Sequence, residues 1–338
     1  MKVPKKVPVQ VPRRRFLQGA AAAAALPVLP RHASAQAYPV RPVRLIVAFV
    51  PGGATDTLAR QISNELKEAL GQAIVVENRP GANGYLAWNH VASAEPDGHT
   101  LLLAENALAM SQALYKKTVS SFDPLAQYDA VAALATSPSA LILSKNIPVS
   151  TVAELVAYSR TVPGKMNYAS AGVGSVAHLN FEVFKDAVGM EAVHIPYKGG
   201  GQGIADVVAG HVPMMITSVQ ATKSLVEAGQ IKALAVTSTA RSPAMPSVPT
   251  MAEAGVKRAD QELRFWFGLF GPKGLPDAVR AKLEKATATV MADPHVRERL
   301  ANLDITPDFA PGPVLRAKLE SEITNWTKFI DQKGIRPE

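Results

Sequence analysis

The chain has 338 residues, of which 47% are hydrophobic and 19% are charged, and it contains no cysteine. This apolar content is too high for a disordered chain and predicts a packed globular fold. The lack of cysteine excludes disulfides, thiolate metal sites, cysteine nucleophiles and a lipid-anchored N-terminal cysteine. The formal net charge of +8 favours a nucleic acid or an anionic membrane as partner only if the basic residues lie on the folded part.

Most of the excess positive charge lies in the first 37 residues. Six basic residues between Lys2 and Arg15 precede an apolar run from Gly19 to Leu29, and a small-residue segment, Ala33 to Ala37, follows. The run is too short to span a bilayer, so the pattern predicts an export signal cleaved near residues 35–37. Arg13-Arg14 followed by Phe16-Leu17 resembles a twin-arginine signal; the alternative is a disordered basic arm. Without residues 1–37, the chain keeps 29 basic and 28 acidic residues, so a nucleic-acid partner is not expected.

From residue 38 onward, short apolar runs alternate with segments of helical periodicity. Leu58, Ile62 and Leu66 keep four-residue spacing, and two long C-terminal helices are predicted over about 276–291 and 313–332. Strands and helices in alternation indicate an α/β fold with mostly parallel sheets. The predicted strands cover residues 43–49, 74–76, 100–103, 141–143, 166–169, 192–196, 212–217 and 231–237.

The first unusual strand-to-helix turn runs from Phe49 through Pro51 to the Leu58 helix. Gly52 and Gly53 allow the backbone to approach a ligand closely, and the free N–H groups of the first helical turn point towards that space. The turn is therefore a candidate anion site. The alternative is an ordinary tight turn in which Thr55 or Asp56 caps the helix.

The second turn, residues 168–178, again joins a strand to a helix through glycines. Ser170 and Ser175 add hydroxyl groups that can donate to a carboxylate, and the backbone lies open at Gly174. His178 is a candidate anion donor in the first helical turn, or else an exposed helix residue. A third turn, residues 197–203, is either a further glycine-opened helix start or a flexible connection.

Cofactor and catalytic motifs are absent or incomplete. Gly172, Gly174 and Ala177 match the dinucleotide pattern GxGxxA, but no ribose-binding acid follows the next strand. Phosphate-binding loops, serine-hydrolase elbows and paired metal-ligand histidines are missing from the sequence, so we expect no enzyme activity, cofactor or metal. The pattern instead predicts an exported binding protein that holds a small anion between two lobes.

The chain also resembles a known family along almost all of its length beyond residue 37. The resemblance is to the tripartite tricarboxylate transporter substrate-binding proteins, the Bug or TctC receptors. It is carried by seven ordered segments: RPVRLIVAFVPGGATDTLARQI, GQAIVVENRPGANG, DGHTLLL, NYASAGVGSVAHL, HIPYKGGGQGIADVVAGHV, IKALAVTSTARSPAMPSVPTMAEAG and FWFGLFGPKGLP.

The resemblance implies a type II-like periplasmic binding protein, with two α/β lobes joined by a two-strand hinge. Domain 1 would be residues 38–138 plus 264–338, and domain 2 residues 139–263. The ligand would be a small carboxylate held between the first turn and the second. The chain would be a monomer in the periplasm that delivers its ligand to the membrane subunits of a tripartite transporter. Presentation of the ligand to a sensor kinase is an alternative, and a periplasmic hydrolase is a third.

Two departures from the family pattern concern ligand choice. Thr217, before Ser218, stands where many relatives carry an acid, and Glu105-Asn106 stands where relatives usually have small residues. Glu105 would repel a second carboxylate, pair with a cationic group, or point outward, so a monocarboxylate or an aromatic acid is expected rather than a tricarboxylate. The predicted ligand-binding residues are Phe49, Pro51, Gly52, Gly53, Thr55, Asp56, Asn106, Ser170, Gly172, Gly174, Ser175, His178, Thr217 and Ser218.

Overall fold

Two β-sheets with flanking helices organise the part of the chain that the computed structural model describes, which is residues 38–116, 122–256 and 263–337. The predicted export signal, residues 1–37, lies outside these ranges. The strands are β1 (Val43–Val47), β2 (Ile74–Asn78), β3 (Thr100–Glu105), β4 (Tyr128–Ser137), β5 (Ser139–Ser144), β6 (Asn167–Ser170), β7 (Val193–Pro196), β8 (Met214–Ser218), β9 (Ile231–Val236), β10 (Phe265–Pro272) and β11 (Thr306–Pro311).

Eleven α-helices are found within the described ranges, together with a single 3₁₀ turn at Ala82–Gly84. They are α1 (Ala54–Leu70), α2 (Tyr85–Ala92), α3 (Ala107–Tyr115), α4 (Pro124–Gln127), α5 (Val152–Thr161), α6 (Val176–Val188), α7 (Gly200–Ala209), α8 (Val219–Glu227), α9 (Asp277–Ala292), α10 (Pro294–Ala301) and α11 (Gly312–Lys333). Over these same ranges, no helix combines the length and apolarity needed to cross a bilayer.

The six-stranded sheet has the order β11-β4-β10-β3-β1-β2, and the five-stranded sheet has the order β7-β6-β8-β5-β9. We call the six-stranded sheet with helices α1–α4 and α9–α11 the first lobe, and the five-stranded sheet with helices α5–α8 the second lobe. Four of the nine strand pairings described are parallel and five are antiparallel. The expectation of mostly parallel sheets was therefore wrong: β10 and β5 both run antiparallel to their neighbours.

The apolar runs that predict strands reflect burial on both faces of a sheet. All six residues of β5 are buried. Leu141 and Leu143 pack in one hydrophobic cluster, whereas Ala140 and Ile142 pack in another. Side chains alternate between the two faces of a strand, so a strand covered on both faces needs apolar residues at every position.

The chain passes from one sheet to the other at Pro138, between β4 and β5. Strand β10 pairs with β4 in antiparallel register, and Phe265 at its start lies opposite Ser137 at the end of β4. The first residue of the returning strand is thus paired beside the last residue of the outgoing one. This arrangement places the C-terminal strands and helices against the first sheet.

The docking of the last helix on β4 depends on a small residue. A side chain at Gly312 would collide with the backbone carbonyl oxygen of Ala130, which cannot rotate away. We expect Gly312→Ala to lower the free energy of unfolding by about 1–3 kcal/mol in urea titrations. Gly201→Ala is the control, because an added methyl group there meets no atom within 4 Å. Equal stability of the two variants would contradict this packing argument.

Candidate ligand site

A cavity of about 890 Å³ lies between the two sheets. Residues of both lobes line it, and three of the bordering segments are the turns that lead into α1, α6 and α7. The volume falls within the range of cavities that enclose small organic ligands. The predicted first and second turns therefore meet at one cavity, together with the third.

The first turn is held in shape by the carboxylate of Asp56. Gly52 has a left-handed φ of 87°, and its N–H donates to Asp56 Oδ2 at 2.9 Å. The side-chain amide of Asn78 donates to Oδ1 at 2.9 Å, and Arg60 Nε lies 3.0 Å from Oδ2. Burial disfavours the charge, but these hydrogen bonds outweigh it and hold the pKa of Asp56 below its usual value.

Helix α1 begins at the cavity without a side-chain cap. Its N-cap residue is Gly53, which has no side chain to accept from the free N–H groups of the first helical turn. Side chains of the first turn instead contact residues from elsewhere in the chain. One such partner is Glu105, the last residue of β3, whose Oε2 accepts a hydrogen bond from the Thr55 hydroxyl. Glu105 keeps only 9% of its surface exposed, and burial raises its pKa to about 7, although the bond from Thr55 lowers it.

The second turn presents Ser175 to the cavity. Ser175 is the N-cap of α6, and its Oγ accepts from His178 N at 3.3 Å. Its hydroxyl hydrogen is still available to a ligand acceptor. Gly172 and Gly174 adopt φ values of 116° and 79°, which L-residues with side chains rarely adopt.

Two stacked histidines, the buried His178 and the half-buried His194, support the second turn. His178 and His194 stack with ring centroids 4.0 Å apart; His178 Nδ1 accepts from Gly174 N at 3.1 Å, and His194 Nε2 lies 2.6 Å from Ser170 Oγ. Burial lowers the pKa of His178 to about 4 and that of His194 to about 3. Both rings are therefore neutral at physiological pH, and His178 acts as a hydrogen-bond acceptor for the backbone of the turn.

The third turn brings a cation to the cavity that the sequence analysis did not single out. Lys198 lines the cavity and is exposed, and it forms no hydrogen bond or ion pair with any described residue. It precedes Gly199, the N-cap of α7, which carries no side-chain cap. The sequence signal was present as a lysine beside three glycines, but its position at the cavity depends on the fold.

Contacts between the lobes border the same cavity. Asn83 of the first lobe donates to the carbonyl oxygen of Val173 in the second turn at 3.1 Å, and Tyr115 donates to the same oxygen at 3.4 Å. Asn83 itself has a left-handed φ of 52°, and its amide also donates to Ser111 Oγ at 3.0 Å. The two lobes therefore meet across the cavity through the backbone of the second turn.

Ten of the fourteen residues predicted to bind ligand line the cavity: Phe49, Pro51, Gly52, Gly53, Thr55, Asp56, Gly172, Ser175, Thr217 and Ser218. The other four lie outside its lining. Ser170 and His178 lie beneath the second turn, and Gly174 packs against Leu114. Asn106 is buried, and its side chain donates to the backbone carbonyl of Arg264 at 3.2 Å.

The sequence of residues 58–335 matches the family model described as the tripartite tricarboxylate transporter family receptor. The chain belongs to this receptor family. Its relatives include the UPF0065 protein in the tcbD-tcbE intergenic region of a Pseudomonas species, which is 36% identical over 318 residues, covering 94% of each chain. Protein BugT of Bordetella pertussis is 32% identical over 303 residues, covering 90% of this chain and 92% of the relative.

Solved structures of receptors in this family share the fold. Rpa4515 of R. palustris with adipate has a TM-score of 0.83 and 34% identity, covering 89% of this chain and 100% of the other. MatC of Rhodopseudomonas palustris with bound malate has a TM-score of 0.77 and 33% identity, covering 86% and 99%. The predicted two-lobed α/β fold is confirmed. Receptors of this family are periplasmic binding proteins rather than enzymes, so the hydrolase alternative is not supported.

The buried carboxyl of Glu105 makes stability depend on pH. Its pKa rises from 4.5 to about 7 on folding, so between these values the folded state binds more protons and loses stability as pH increases. We expect Glu105→Gln to stabilise the protein by up to about 3 kcal/mol near pH 8 and by almost nothing near pH 4. The amide oxygen would still accept the bond from Thr55. Urea titrations at the two pH values measure the difference.

Glu77→Gln is the control for this prediction. Hydrogen bonds from Arg44 and Arg79 lower the pKa of Glu77, although burial opposes them, so its charge stabilises the folded state above its unfolded pKa. Its removal should therefore destabilise the protein at neutral pH, with the opposite sign to Glu105→Gln. A loss of stability in Glu105→Gln near pH 8 would contradict the account of Glu105.

Proposed function

We propose that this chain is a periplasmic receptor that binds a small carboxylate between its lobes and delivers it to the membrane subunits of a tripartite tricarboxylate transporter. The observation that carries the proposal is the cavity between the sheets. It is lined by Ser175 at the start of α6 and by Lys198 before the start of α7, and Lys198 has no ion pair among the described residues. Membership of the receptor family supports the delivery step.

The carboxylate was expected between the first and second turns; we place it instead at the second and third turns, where a hydroxyl and a cation line the cavity. The first N–H groups of a helix have no partner within the helix, and the helix dipole favours an anion there by about 0.3–1 kcal/mol, or up to about 2 when partly buried. At the second turn, the Ser175 hydroxyl adds a donor. At the third turn, Lys198 adds a full positive charge beside the helix that starts with Gly199 as its cap. Bridging water can complete the remaining contacts.

The rest of the lining suits the carbon skeleton of an organic acid. Phe49, Phe265 and Met215 line the cavity together with several alanines and glycines. Such apolar surface favours burial of hydrocarbon, while the few polar groups set orientation. A structural neighbour holds adipate, which supports a ligand that carries at least one carboxylate on a carbon skeleton.

The lobes would be residues 38–138 plus 264–338 and residues 139–263, joined by the paired backbones of β4 and β10. A ligand that touches both lobes favours the shut form over the open one. Residues 1–37 would direct export and be removed near residues 35–37, and the mature receptor would act as a monomer.

Replacement of Ser175 tests the position of the carboxylate. A thermal-shift screen of mono-, di- and aminocarboxylates identifies the acid to use, since ligand at 100 times its Kd adds about 2.7 kcal/mol of stability. We expect Ser175→Ala to weaken binding of that acid by about tenfold or more in titration calorimetry, because a donor to a charged group is lost.

Thr151→Ala is the matched control for this variant. Thr151 is the N-cap of α5, its hydroxyl accepts from Glu154 N at 3.1 Å, and it does not line the cavity. Both variants lose a cap of about 1 kcal/mol in stability, but only Ser175→Ala should lose affinity. Unchanged affinity in Ser175→Ala, or an equal loss in both variants, would reject this position for the carboxylate.

Closure of the lobes gives a second test. We expect saturating carboxylate to reduce the radius of gyration of the purified protein in small-angle scattering, because the ligand contacts both lobes in the shut form. Ser175→Ala at the same carboxylate concentration should compact less. An unchanged radius at saturation would contradict the hinge mechanism.

A further inference from the structure

The start of helix α1 already carries two carboxyl groups of the protein itself. Asp56 accepts from the backbone of Gly52, and Glu105 accepts from Thr55 in the first helical turn. Both acidic residues line the cavity. Both carboxyl groups therefore lie beside the start of α1, and a ligand carboxylate placed there would meet a like charge.

The two acids differ in their partners. Asp56 forms an ion pair with Arg60 at 2.9 Å, so its charge is neutralised within the helix. Glu105 has no ion-pair partner in the described ranges, and its hydrogen bond comes from a neutral hydroxyl. A buried carboxylate without a cation is costly, and a cation supplied by a ligand relieves that cost.

The second lobe holds the complementary group. Lys198 lines the same cavity without an acidic partner among the described residues, and its lobe also contributes Ser175. Lys198 and Glu105 do not pair with each other, so each is left to the ligand. The cavity thus has one unpaired acid in the first lobe and one unpaired base in the second.

Building on the proposed carboxylate-binding function, we infer that Glu105 is a specificity-determining residue that selects an acid with a positively charged nitrogen at its far end. The ligand carboxylate lies at the second and third turns, near Ser175 and Lys198. The ligand cation lies at Glu105, in the space beside the start of α1. A dicarboxylate would place its second negative charge against Glu105 and bind less well.

Matched sets of acids test the inference by titration calorimetry on the purified wild-type protein. Each set has the same carbon skeleton and ends in a methyl, an ammonium or a second carboxylate group; the skeletons are linear chains of three to eight carbons and a benzene ring. The ammonium member should bind at least about tenfold more tightly than its methyl partner, and the dicarboxylate should bind least tightly.

Glu105→Gln should remove this preference. The amide keeps the shape of the side chain and still accepts from Thr55, so the ammonium and methyl members should then bind within about threefold of each other. Glu77→Gln is the control, since it removes an acid of the first lobe that does not line the cavity, and it should keep the wild-type order. Thermal unfolding of both variants verifies that they fold.

Proton release from the wild-type protein gives a measurement that needs no variant. Arg60 holds Asp56 ionised, and burial keeps His178 and His194 neutral near pH 7, so Glu105 is the acid of the cavity that exchanges a proton there. Calorimetry in buffers of different ionisation enthalpy should show proton release when the ammonium member binds. Proton uptake on binding would mean that protonated Glu105 donates to the ligand, which would overturn the inference.

The outcomes separate this inference from the proposed function. If carboxylates bind but the ammonium member has no advantage, or keeps its advantage in Glu105→Gln, the role of Glu105 is rejected while the receptor function stands. If no carboxylate of any set binds to the wild-type protein, both are rejected.

Discussion

The first-lobe side of the cavity depends on the carboxylate of Asp56. This group accepts from Gly52 in the first turn, from Asn78 at the end of β2 and from Arg60 one turn along α1. The three bonds join the turn, the sheet and the helix, and they keep Gly52 in a left-handed conformation. They also position the start of α1 so that the Thr55 hydroxyl can donate to Glu105. A residue that the sequence suggested as a ligand group or a cap is thus the support of the turn.

The second-lobe side uses neutral groups for the same purpose. His178 accepts from the backbone of Gly174, and His194 pairs with Ser170 beneath the turn. Because burial keeps both rings uncharged, they shape the turn without adding positive charge at the cavity. The charge available to an anion there comes from Lys198 and from backbone dipoles. Each side of the cavity therefore has a turn held by hydrogen bonds and an ionisable lining residue, Glu105 or Lys198, that has no ion pair among the described residues.

Local sequence was sufficient for the strands and turns, but not for contacts between distant segments. The buried run of β5 and the glycines at positions 52, 53, 172 and 174 follow from residue type and spacing alone, and the structure bears them out as a strand and as turns. The direction in which β10 joins the first sheet is not encoded in its apolar residues. Likewise, Glu105 meets Thr55 across 50 residues, and no periodicity indicates that contact. Ser170 and His178 are residue types that can donate to a ligand. In the structure, however, their side chains accept from the backbone of Gly172 and Gly174, and neither residue lines the cavity.

The charge of the whole chain and the charge of the site act over different distances. Once residues 1–37 are removed, as proposed above, the acidic and basic residues nearly balance, and long-range attraction of an anion would be weak. Exposed charges further apart than about 8 Å are screened at physiological salt, whereas a pair enclosed in a cavity is screened much less. Capture must then rest on groups within hydrogen-bond reach of the ligand. An acid and a base that line one cavity from different lobes, each without an ion pair among the described residues, make the site sensitive to the direction of the ligand dipole. A ligand bound in the reverse direction would place like charges together at both ends. Orientation and selectivity consequently arise from the same two side chains, Glu105 and Lys198.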